Sequence, residues 1–179
     1  IVTLPKGLAE MVSDKPTGAE ITEAQRQLEE QLPIADRMIA ERGGLFAPNG
    51  QPSKLNRLQW AQVRTESFKA WFGDWVKSPA KASKVVDANG EPLVVYHGTR
   101  AMGFNEFKPK SAEAYGLGVY FASDRTMPEE EFGVDGRVIE AFLNIRNPSD
   151  GSMPKIKKNS EALKKLRQSR PRFRGDEYD

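Results

Sequence analysis

The chain has 179 residues and carries 27 Lys and Arg against 25 Asp and Glu, a net charge of +2. Apolar residues make up 38%, with one His and no Cys. These figures exclude a disulfide scaffold, thiol nucleophiles, zinc–cysteine and multi-histidine metal sites, and a collagen-like repeat. No run approaches eighteen apolar residues, so no membrane-spanning helix is expected. The opening IVTLPKGLAE lacks the basic-then-apolar pattern of a secretory signal. Opening on Ile is what a segment cut from something longer would show.

The charge is uneven. Residues 151–179 hold 9 basic and 4 acidic side chains, whereas residues 1–150 hold 18 basic and 21 acidic. A basic tail can attract nucleic acid or an acidic partner, although a solvated helix face explains the same run. No internal repeat or low-complexity tract is evident.

Glu20 to Arg42 reads as helical, with Thr22 and Gln25 as a capping box and Ile21, Ala24 and Leu28 near one face. Pro33 has no backbone N–H to donate, so the chain is expected to end one helix there and start another. Ile34, Met38 and Ile39 supply the second stripe, and Gly43-Gly44 closes it. Phe46 to Asn56 (FAPNGQPSKLN) has the composition of a linker. Trp60 to Trp75 holds all three tryptophans, with Phe68, Trp71, Phe72 and Trp75 spaced as one side of a helix. That stripe reads first as packing, and second as a peptide-binding surface.

After Pro79 the pattern changes to short strands. Lys84–Val86 and Leu93–Tyr96 flank Asp87-Ala88-Asn89-Gly90, where Asn-Gly suits a tight hairpin turn. Gly118–Ala122 and Val138–Ile145 are further strands by their β-branched and aromatic content, and Ser160–Gln168 reads as a short helix. Glu129-Glu130-Glu131 is most simply a solvated helix turn. The expected fold is α+β: a helical N-terminal region followed by a small split antiparallel sheet. The expected divisions are 1–56 (helical region and linker), 57–82 (aromatic lead-in) and 83–179 (the sheet domain).

The chemistry concentrates in two short strings. His97 ends an apolar strand and is followed by Gly98-Thr99, a glycine that lets a ligand approach the backbone and a hydroxyl that can donate. Twenty-three residues on, Gly116-Leu117-Gly118-Val119-Tyr120-Phe121-Ala122 opens a strand with bare backbone and then presents a large planar ring. Either string alone is weak evidence, since each has an ordinary structural reading.

Together, Tyr96-His97-Gly98-Thr99 and Gly118-Val119-Tyr120-Phe121-Ala122 resemble the His-Tyr-Glu type of ADP-ribosyltransferase, which includes diphtheria toxin and the poly-ADP-ribose polymerases. The longer strings QVRTESFKAWFGDW, KVVDANGEPLVVYHGT, FNEF, GLGVYFAS and FLNIRNP are similar to one branch. That branch is the ADP-ribosyltransferase-like domain of phage and mobile-element polyvalent proteins. The similarity covers roughly Gln59 to Asp150.

The resemblance implies NAD as co-substrate, lying in a cleft of a split sheet. His97 would hydrogen-bond the adenosine ribose, the Gly98 backbone would hold the nicotinamide amide, and Thr99 would lie beside them. Tyr120 would stack on the nicotinamide ring, with Phe132 as the opposite wall in place of the family's usual tyrosine. Cleavage of the nicotinamide bond gives the ribose oxocarbenium character, which a carboxylate on the ribose 2′-OH stabilises. No later strand with a glutamate is evident after FLNIRNP, and Gly175–Asp179 resembles the turn before such a strand, so that carboxylate is expected beyond Asp179. Glu140 and Glu177 are the local substitutes; Glu140 reads more simply as a solvent-facing strand residue and Glu177 as a surface charge.

The leading expectation is therefore a toxin-like mono-ADP-ribosyltransferase that modifies a host macromolecule, protein rather than nucleic acid, and releases nicotinamide. It would be a cytoplasmic effector, delivered into a host bacterium with a phage or mobile element, with no membrane partner and no metal. The alternative is a catalytically incomplete module that binds NAD or a protein. A nucleic-acid-binding or nuclease reading rests on the basic tail alone, and one histidine without an acidic cluster is poor nuclease chemistry.

Overall fold

The computed structural model describes residues 10–12, 17–101, 107, 110–112, 116–132 and 135–148. The chain divides into two compact units, Ile1–Asn147 and Pro148–Asp179. The expected helix at Ser160–Gln168, the basic tail and Glu177 all lie outside the described residues.

The elements run β1 (Glu10–Val12), α1 (Gly18–Arg42), α2 (Arg57–Gln62), α3 (Glu66–Phe72), β2 (Val95–Thr99), β3 (Lys110–Ala112), β4 (Gly116–Gly118), α4 (Thr126–Phe132) and β5 (Arg137–Leu143). One sheet has the order β1-β5-β2, and β3 and β4 form a second, antiparallel pair. β2 runs antiparallel to β5, while β1 runs parallel to it. Apart from β1 and α4, helices come first and strands after, consistent with an α+β fold.

α1 is one unbroken helix with Pro33 inside it. The expected break does not occur, because packing spans the proline. Ala35 is fully buried and Met38 packs against the core, while α1 lies on α2 and α3. These contacts offset the missing Pro33 N–H bond. The cap also differs: Thr17 and Glu20 form the capping box, and Thr22 instead donates its hydroxyl to the Gly18 carbonyl at 3.0 Å. Gly43 closes the helix at φ 75°, a left-handed position suited to glycine.

The aromatic lead-in is two short helices rather than one. Asn56 and Gln59 cap α2 reciprocally, and the Thr65 hydroxyl accepts the Phe68 N–H at the start of α3. Trp75 lies past Gly73, which ends α3 at φ 97°. A Cβ on Gly73 would sit 2.5 Å from the Ala82 Cα, so only glycine lets those two segments approach. Phe68, Phe72, Trp75 and Phe142 share one buried cluster, with Phe142 edge-on to Phe68 at 5.1 Å. Each buried aromatic of this set contributes roughly 1.5–3 kcal/mol. The stripe is therefore packing.

The expected linker is a turn, and a matching turn joins the two sides of the expected hairpin. Phe46 bridges Pro52, and Val86 bridges Pro92. In both, the glycine N–H closes a turn three residues back, at Ala47 (2.9 Å) and Asp87 (3.0 Å). Within these turns only Gly50 and Gly90 have positive φ, at 83° and 77°, so each is a three-residue loop with a left-handed glycine. Asn89 donates its side-chain amide to the Pro52 carbonyl at 3.1 Å and thus joins one turn to the other.

Beneath them lies a buried ion pair. Glu91 is 0% exposed and takes Arg64 at 2.8 Å and the Ser53 hydroxyl at 2.5 Å. The Arg64 guanidinium stacks on the Trp60 ring at 3.5 Å, and burial pushes its pKa down against the pull of Glu91. Removing one partner leaves the other charge buried and unpaired. Arg64→Met should therefore cost about 3–5 kcal/mol in chemical denaturation. A loss below about 1 kcal/mol would show that Glu91 needs no cation.

Candidate active site

The pairing of β2 with β5 sorts the site residues by face. Val95, His97 and Thr99 lie opposite Ala141, Ile139 and Arg137, whereas Tyr96 and Gly98 lie opposite Glu140 and Val138. Successive strand residues point to opposite faces, so His97 is on one side of the sheet and the side position of Gly98 is on the other. Glu140 shares the Gly98 face.

On its own face the His97 ring meets Phe121 at 5.4 Å and stands edge-on to Phe107 at 5.2 Å. Its Nδ1 lies 2.8 Å from the Tyr120 carbonyl oxygen. A carbonyl only accepts, so Nδ1 carries the proton, and in the neutral tautomer that fits this bond Nε2 is the acceptor.

That bond has a consequence for the neighbouring backbone. Tyr96 and Ala122 exchange both of their backbone hydrogen bonds at 2.8 Å. One more antiparallel step would pair Gly98 with Tyr120. The Tyr120 carbonyl takes the imidazole instead. By alternation the Gly98 N–H and C=O point to this same edge, and no described backbone group takes them up. Among the described residues, the edge of β2 is therefore unpaired at Gly98.

Tyr120 is 40% exposed, and its ring lies along Gly118, where a Cβ would be in ordinary contact with it at 3.4 Å. On the face opposite His97, Phe132 at the end of α4 covers Gly98. A Cβ on Gly98 would lie 2.2 Å from the Phe132 Cδ2. Arg100 approaches the same ring, with its guanidinium carbon 5.0 Å from the centroid, and donates to the Glu131 carbonyl at 3.2 Å.

Glu140 is held on both oxygens. Oε2 accepts from Gln59 at 2.7 Å and Oε1 from Arg125 at 2.5 Å. It is therefore half-buried in an ion pair instead of facing solvent. Arg125 also donates to Glu129 at 2.5 Å, and these carboxylates raise its pKa further, the Glu129 hydrogen bond most. Burial, followed by the Glu140 charge, raises the Tyr96 hydroxyl pKa. Asp124 accepts the Thr126 N–H at 2.7 Å, and its hydrogen bonds to Thr126 lower its pKa. The structure thus gathers His97, Gly98, Thr99, Tyr120 and Phe132 about one strand, while Glu140 is committed elsewhere.

Residues 87–175 match the family model described as ADP-ribosyltransferase in polyvalent proteins. The match supports an ADP-ribosyltransferase-like domain of polyvalent proteins in this part of the chain. No curated protein and no solved structure matches the chain. The described part of this ADP-ribosyltransferase-like domain contains β2 to β5 and α4, and thus every residue of the open edge. Among the described residues, no group of three or more His, Asp or Glu is placed to hold a metal ion. Nor is any described helix long and apolar enough to cross a membrane.

Two contributors carry little sequence signal. Asn56-x-x-Gln59 is a recognisable cap, but the second bond of Gln59, to a glutamate 81 positions away, leaves no local trace. Arg125 is one exposed arginine among many. The close fit of Phe132 on Gly98 gives a direct test. Gly98→Ala should destabilise the protein by about 1–3 kcal/mol through overpacking, and Phe132→Ala should abolish that penalty. Equal penalties in both backgrounds, measured by denaturation, would mean the ring does not lie there.

Proposed function

We propose that the domain binds NAD and transfers ADP-ribose to a macromolecular acceptor, releasing nicotinamide. The observation that carries this reading is the open backbone edge at Gly98 beside an exposed tyrosine. A carboxamide has one donor group and one acceptor, which complement the Gly98 C=O and N–H. The nicotinamide ring would then lie against Tyr120, an aromatic contact worth about 0.5–1.5 kcal/mol beyond its buried area. Phe132 forms the wall on the Gly98 side, and Thr99 borders the same strand end. The His97 Nε2 is left to accept a hydrogen bond from a ribose hydroxyl.

In the reaction the bond from the ribose C1′ to the nicotinamide nitrogen breaks, and nicotinamide leaves with the electron pair. The acceptor nucleophile bonds to C1′ and loses its proton. A protein side chain on a host target is the acceptor we favour, in a cytoplasmic, effector-like role carried by a phage or mobile element. A second reading is a module that binds NAD or a protein without turnover. It is favoured by Glu140, whose carboxylate is held by Gln59 and Arg125 instead of being presented to a ribose 2′-OH.

Titration of the chain with NAD by calorimetry, with nicotinamide release followed alongside, separates these readings. Binding is expected, and His97→Ala and Tyr120→Ala should each weaken it about tenfold, equivalent to ~1.4 kcal/mol. Binding without release would favour the non-enzymatic module. No binding at millimolar NAD would defeat both NAD-dependent readings.

A further inference from the structure

We infer that Arg125 and Glu140 are positioning residues that set the Phe132 wall of the nicotinamide site from the helical front of the molecule. This inference rests on the nucleotide-binding reading of Gly98 and Phe132. The connection is continuous. The Gln59 Oε1 accepts the Asn56 N–H at 3.1 Å, which fixes the amide at the start of α2. Its Nε2 donates to Glu140 on β5, and Glu140 accepts from Arg125 just before α4. Arg125 then reaches Glu129 within α4, three residues before Phe132.

The chemistry explains why these residue types serve. Gln59 is buried, with one oxygen used by the cap and one amide left to donate, so its partner must be an acceptor. Glu140 has two oxygens and can take that donor and a guanidinium together. Arg125 has a planar fork with donors directed at two different carboxylates, which a lysine point charge cannot reproduce in the same geometry. α4 is seven residues long, too short to be stable alone, and Pro128 is its one buried residue. Its orientation on β2 and β5 therefore depends on the two ends: Arg125 at the start, and Phe132 and Arg100 at the finish.

The test uses the whole chain with Arg125→Met, Arg125→Lys and Glu140→Gln. Backbone hydrogen exchange of α4 and NAD affinity are read for each. Arg125→Met and Glu140→Gln should raise exchange across Glu129–Phe132 at least tenfold and weaken NAD binding about tenfold. Protection of α3 should stay unchanged, and Arg125→Lys should recover only part of both losses. Unchanged α4 exchange would overturn the inference whatever NAD does. A looser α4 with unaltered NAD affinity would overturn it equally. If the wild-type chain binds no NAD, the nucleotide reading fails and so does the positioning role, although the exchange result would still report whether Arg125 holds α4.

Discussion

The hydrogen bond from the His97 Nδ1 to the Tyr120 carbonyl is the interaction on which the proposed site depends. Beyond the Tyr96–Ala122 pair, a continued ladder would bring the Tyr120 carbonyl to Gly98; here that carbonyl lies 2.8 Å from the imidazole. A completed ladder would use the Gly98 N–H and C=O, leaving no backbone for a ligand. The imidazole thus has two roles of different kinds. One nitrogen holds the Tyr120 carbonyl, and in the proposed function the other accepts from the ligand. Glycine at 98 follows from the opposite face, where the Phe132 ring occupies the place of a side chain.

The helical front is joined to the sheet by packing and by several polar connections. Arg64 and Glu91 join α2 to the second turn, and Gln59 joins the α2 cap to β5 through Glu140. Phe142 belongs to β5 yet packs edge-on against Phe68 of α3, so strands and helices share one core. The lead-in therefore holds the sheet in register. Alternation along β5 then carries that register to Glu140 and Val138 on the Gly98 face.

The sequence made the α+β class legible through its shift from helical periodicity to β-branched runs. It also made legible the two strings that identify the ADP-ribosyltransferase-like domain. What it hid was long-range or cooperative. Pro33 argues locally for a break, but tertiary packing on both sides overrides the loss of one hydrogen bond. FAPNGQP has the composition of a linker and folds as a turn because a second turn of the same kind lies against it. Glu140 reads as a solvent-facing residue because nothing in a strand pattern reveals two donors arriving from 15 and 81 positions away. Glu91, fully buried, is hidden for the same reason: its charge is compensated by a side chain 27 residues earlier.

Because His97 is the lone histidine, nitrogen-15 spectroscopy of its imidazole reads the central claim without ambiguity. With the ring neutral, the account predicts a proton on Nδ1 in the free protein. Added NAD should then shift the Nε2 resonance and leave the Nδ1 proton in place. A proton on Nε2, or two resonances that do not respond to saturating NAD, would contradict it.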